Sequence, residues 1–198
     1  MFLNKNNLIM KNIITIFLAL LAISCKSQIV SLETAAQCSE VNPCSDYTYE
    51  KDINNTLNKY VGIWKGIYNG KVYEMKFNKS LYDDMGLKRD KITGRLRITT
   101  TGNPPLTIFD NFNEPDDNKT HFSGLGLTGN LQSYRMIFAG PVPSGCINHG
   151  ALTLRVNPNT PDQMRIFYFS DKDIVVGECP TTFSQTFPEQ QEIFLTRQ

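Results

Sequence analysis

Five cysteines and two histidines are the side chains of this 198-residue chain with the most chemistry to offer. Cys25, Cys38, Cys44, Cys146 and Cys179 contain no Cys-x₂-Cys step, and His121 and His149 stand apart, so a closed zinc set has little support. The run Cys146-Ile147-Asn148-His149 places a thiol and an imidazole three residues apart. On a strand such positions point to opposite faces, which separates a nucleophile from its base. Asp116-Asp117 lacks the ligand spacing of an EF-hand. No nucleophile elbow, metal-binding His pair or phosphate-cradling glycine loop is present in the sequence, so neither an enzyme nor a cofactor is expected.

The remaining chemistry of the thiols is pairing. An odd cysteine count in an exported chain needs a reason, and setting Cys25 aside leaves an even set with three pairings open. The favoured one joins Cys38 to Cys44 around Pro43 and Cys146 to Cys179 across two late segments. In the chain-entropy account these loops contribute roughly 2–2.5 and 3.5–4 kcal/mol.

Cys25 is set aside because of what precedes it. Lys5 and Lys11 lead into an apolar run from Ile13 to Ile23 broken only by Thr15, an export signal over residues 1–24 that is too short to span a bilayer. Met10-Lys11-Asn12 makes an alternative start. The segment ends Leu21-Ala22-Ile23-Ser24-Cys25, which resembles the lipobox of bacterial lipoproteins. The resemblance implies that Cys25 is lipidated and becomes the mature N-terminus, so the chain is anchored rather than spanning, in the cell envelope at the periplasmic face of the outer membrane. Ordinary cleavage near Gln28, giving a soluble exported chain, is the other reading. Losing Lys5 and Lys11 leaves 18 basic against 19 acidic residues, a net charge of −1. A chain so balanced has no phosphate-neutralising excess, and nucleic acid is not an expected partner.

Behind these residues stand the elements that must hold them. Residues 25–51 are rich in Ser, Thr, Gln and Asn without sustained period and read as a tether with a disulfide loop. Ile53, Leu57, Tyr60, Val61 and Trp64 recur at three-and-four spacing, predicting one short helix near 52–60 capped by Asp52. From there the period is two. Segments 61–68 and 72–77 flank Asn69-Gly70, a tight hairpin signal. Ile92, Gly94, Leu96 and Ile98 alternate with Thr93, Arg95, Arg97 and Thr99 on an expected wet face. Segments 106–112, 122–128, 131–139, 151–156, 164–169 and 193–197 complete about nine strands, with a two-residue turn expected at Gly129-Asn130 and long polar loops at 79–91 and 111–120. The expectation is an all-β, antiparallel up-and-down barrel of 8–10 strands with one short N-terminal helix, forming a single domain over 52–198.

Gly62-Ile63-Trp64, opening the first barrel strand, resembles the Gly-x-Trp signature of the lipocalin-like barrels, and Arg197 resembles the C-terminal Arg that packs over their Trp. The resemblance implies that Gly62, Trp64 and Arg197 close one barrel end. Residues 49–64 are also similar to the opening of a family of small exported bacterial proteins whose domain has no known function. Tyr73, Met75, Phe77, Phe167 and Phe169 either line a cavity or fill it. Two functions follow. One is an anchored barrel holding a small apolar or amphipathic ligand; the other is a solid barrel meeting an envelope protein partner through its loops.

Overall fold

The computed structural model describes residues 29–38, 43–44, 46–114, 120–172 and 175–198. Period-two sequence becomes strand throughout. Eight antiparallel strands make a closed barrel: β3 (Gly62–Tyr68), β4 (Lys71–Asp84), β5 (Leu87–Thr100), β7 (Phe122–Leu127), β8 (Tyr134–Ala139), β9 (His149–Asn157), β10 (Thr160–Ser170) and β11 (Glu192–Arg197). Consecutive members pair in chain order. Closure comes from Thr196 opposite Lys65 and Arg197 opposite Trp64, while β5 meets β7 at Thr93–Ser123 and Gly94–Phe122. Three short strands lie outside this ring: β1 (Ile29–Ser31), β2 (Tyr49–Lys51) and β6 (Thr107–Asp110). The expected all-β up-and-down barrel is thus what the sequence folds into. At the β3–β4 turn Asn69 and Gly70 both take positive φ, 45° and 71°, as a type I′ hairpin requires.

The segment expected as a tether is instead docked over its described part. Ser31 caps α1 (Leu32–Gln37) by accepting from the Thr34 N–H, and Leu32 is buried in the main core. β1 pairs in parallel with β2, and β2 in parallel with β5, so this segment extends the barrel wall. Its helix escaped a period-based reading because six residues carry less than two turns of pattern. The expected helix near 52–60 is reduced to a 3₁₀ turn at Thr56–Lys59. Asp52 still serves it, since its carboxylate accepts from the Leu57 N–H at 3.3 Å.

Other boundaries move for local reasons. The expected loop at 79–91 is the continuation of β4 and β5, paired without a slip up to Asp84–Leu87. The turn placed at Gly129-Asn130 is a wider loop in which Thr128 N–H bonds to Ser133 and Leu131 takes φ 59°. Of the expected wet face of β5, Thr93 and Arg95 are buried, the Arg95 Nε donating to the Glu114 carbonyl that crosses over it. Asp116-Asp117 lies outside the described residues.

Seven tyrosines are held protonated beyond their ordinary range, five of them strongly. Burial pushes Tyr73, Tyr134 and Tyr168 up to about 12, a hydrogen bond to Asp90 raises Tyr49 to about 12, and burial drives Tyr60 upward as well. Each pKa is higher in the folded chain, so its contribution is complete below the unfolded value near 10 and is lost as pH rises through the folded value. Urea midpoints at pH 9, 10.5 and 11.5 are therefore expected to fall at both steps, and a flat profile would contradict the burial of these phenols.

Candidate functional site

Tyr73, Met75 and Phe77 of β4 point inward, as expected, and are buried against Trp64, Leu96, Phe122, Met136, Phe138, Leu154 and Ile166. Phe167 and Phe169 do not join them. They are 37% and 46% exposed on the outer face, because Met164, Ile166 and Tyr168 take the inward positions of β10. That strand is apolar on both faces, and alternation alone could not tell which set turns in.

One barrel end is stoppered from the chain itself. Phe187, on the connection between β10 and β11, is 1% exposed and sits in an aromatic cluster, 5.0 Å from the Phe138 ring centroid, 5.6 Å from Tyr168 and 5.9 Å from Tyr73 and Phe122. Buried Asn148 holds the neighbouring residue, its Oδ1 accepting from Thr186 N–H at 2.9 Å and its Nδ2 donating to Thr186 Oγ1 at 2.9 Å. The Cys146–Cys179 disulfide ties the same connection to the segment before β9. Gly145 passes there at φ 81°, where an added Cβ would strike the backbone of Gly177 and Glu178. Cys38 pairs with Cys44 beside α1. Cys146 is thereby occupied, away from any role with His149.

The opposite end is closed by Trp64. Its ring is fully buried and its Nε1 donates to the Tyr60 carbonyl at 2.8 Å. The Arg197 guanidinium lies 4.3 Å from the ring centroid and donates to the carbonyls of Val61 and Lys59. Gly62, at φ 125°, leaves room for that guanidinium, since a Cβ there would come within 3.0 Å of Nη1. Gly62, Trp64 and Arg197 are thus brought together as a closure, the donors of the two side chains going to the carbonyls of Tyr60, Val61 and Lys59, with the Arg197 Nε 3.4 Å from Asp162.

A recess of about 250 Å³ remains at the stoppered mouth beside Tyr73 and Phe187, and further recesses lie on the outer wall. The register of β8 to β11 sets Arg155 directly opposite Arg165, with Phe194 opposite Arg165 on the other side. Like charges in that position repel. Arg165 Nη1 donates to both oxygens of Glu192, at 3.1 and 3.2 Å, whereas Arg155 has no acidic partner among the described residues. An open recess of about 350 Å³ is lined by Arg155, Gln163, Arg165 and Phe194, and a second of about 230 Å³ by Arg155, Arg165, Phe167 and Glu192. Arg155 offers its guanidinium fork to an anionic group beside an Arg165 already answered by Glu192, with phenylalanine rings as walls. No motif announces this site; it arises from the register alone, which sequence reading did not fix. Cys25 lies outside the described residues, and no group of three or more metal-ligating side chains occurs among them.

A family model described as a family of unknown function, DUF6705, matches residues 10–149. The chain belongs to that family. The DUF6705 match takes in Gly62 and Trp64 and ends where β9 begins, so the Arg155–Arg165 wall, Phe187 and Arg197 fall beyond it. No curated protein and no solved structure matches the chain.

Proposed function

We propose that this DUF6705 protein is a lipid-anchored interaction protein of the bacterial cell envelope. Its filled, lipocalin-like barrel presents the outer wall of β8 to β11 to an acidic segment of a protein partner. The observation that carries this reading is the seating of Phe187 among Tyr73, Phe122, Phe138 and Tyr168, which gives the interior to the chain's own side chains and leaves the outer wall for recognition. Arg155, which has no acidic partner among the described residues, supplies the charge that an acidic partner would neutralise. The anchor rests on Ser24-Cys25 after the apolar run, and two disulfides suit an oxidising compartment.

Native mass spectrometry of the chain extracted in mild detergent from its own envelope tests all of this in one spectrum. A protein-sized adduct is expected on the wild type and lost in Arg155→Glu, with acyl mass on Cys25. A small molecule that leaves on unfolding would restore the ligand-holding barrel as the better reading, and a chain free of acyl mass would remove the anchor.

A further inference from the structure

β3 pairs with β4 only as far as Phe77, yet β4 runs on through residues 78–84 and returns as the first part of β5. β2 flanks this ribbon at Lys88 and Arg89, the Arg89 Nη1 donates to the Leu125 carbonyl, and the turn of the ribbon lies past the last paired residues of that flank. At its tip the turn is Met85-Gly86, both with positive φ, 47° and 83°. The same backbone at the β3–β4 turn is built from Asn-Gly, the pair that suits it, while a Met in the left-handed region is strained and here is 97% exposed. Leu81 and Tyr82 just behind it are also exposed. The two acids beside the turn are engaged locally, Asp83 with Lys88 at 3.5 Å and Asp84 accepting from the Tyr82 hydroxyl at 2.9 Å. An apolar tip with its acids answered and Tyr and Lys behind it has the order of side chains found at a membrane–water interface.

The chain's entry point says which surface the tip meets. Ile29 lies opposite Tyr49, and Tyr49 opposite Lys88, in parallel register, so the chain enters the fold beside the tip and runs away from it. Only three residues, Lys26, Ser27 and Gln28, separate Ile29 from Cys25, a reach of at most about 14 Å over four steps. A lipid on Cys25 therefore keeps this end of the molecule at the bilayer, with the barrel end stoppered by Phe187 turned away. We propose that the Met85 tip is a second membrane contact, dipping into the boundary between headgroups and acyl chains of the bilayer that holds the Cys25 lipid. This rests on the anchor proposed above.

The test places an indole at the tip, Met85→Trp, in the full lipidated chain reconstituted into phosphatidylcholine vesicles whose acyl chains are brominated. Trp64 is buried in both forms and serves as background. The expected result is a blue shift and strong quenching of the added indole, with no quenching of one added by Ile67→Trp, near the Asn69-Gly70 turn at the far end. Met85→Asn, which suits the turn better, is expected to keep the thermal midpoint and to transfer between vesicles faster than the wild type. Chains that float with the vesicles while the Met85→Trp indole stays unquenched would overturn the tip contact and leave the anchor standing. Chains that do not float overturn both.

Discussion

Trp64→Ala is expected to destabilise the barrel by roughly 3–5 kcal/mol, the range of large aromatic truncations in cores. The ring has three roles, and each is lost. Its buried area is lost, and the cavity left beneath Arg197 is flanked by main chain already committed to β3–β11 pairing, which limits collapse. The Tyr60 carbonyl loses the indole N–H. The Arg197 guanidinium loses the face on which it lies, though it keeps the carbonyls of Val61 and Lys59. β11 meets β3 at Thr196–Lys65 and Arg197–Trp64, and the Gln198 N–H donates to the Ile63 carbonyl just beyond them, so the Trp64 side chain and the ladder close this end together. Urea unfolding followed by far-ultraviolet circular dichroism measures the change. A shift under about 1 kcal/mol would remove Trp64 from the core.

How much of this was legible in the sequence differs by kind of signal. Where one face is apolar and the other polar, as in Tyr73-Glu74-Met75-Lys76-Phe77, both strand and inward face could be read. Where both faces are apolar, as in Ile166-Phe167-Tyr168-Phe169, the strand was legible and its orientation was not, so two outward phenylalanines were expected to turn inward. Asn69-Gly70 announces its turn because Asn and Gly tolerate positive φ; Met85-Gly86 adopts the same turn with a residue that gives no such signal, so a paired ribbon reads as a loop. Phe187 sits in a segment without period, held by Asn148 and a disulfide rather than by a ladder, so nothing local marked it. Arg155 and Arg165 became a site only through the register that sets them opposite one another. Reading by period recovers which residues alternate; it does not recover long-range placement, and here the candidate site is made of long-range placement.

Phe187→Ala is expected to cost about 3–5 kcal/mol and, unlike Trp64→Ala, to change what the barrel can hold. The side chain is enclosed by Tyr73, Phe122, Phe138 and Tyr168, all buried, and its connection is fixed by Asn148 to Thr186 and by Cys146 to Cys179. With the backbone pinned at both points the segment has little freedom to fall into the space. Removing the ring therefore leaves an apolar void rather than a collapsed wall, and such voids stay dry and accept small apolar solutes such as benzene. The expected pair of results is a lowered urea midpoint for Phe187→Ala and benzene binding by that variant alone, read as a rise in its midpoint on adding benzene. Wild-type chain stabilised by benzene to the same extent would mean that the interior already has room, and the partner-binding outer wall would yield to a ligand-holding barrel. A variant as stable as the wild type would mean that Phe187 rests on the barrel mouth without filling it. The two disulfide-linked segments and the Asn148 bonds make a further distinction: if Phe187→Ala binds benzene, reducing Cys146–Cys179 should weaken that binding by letting the connection relax into the void.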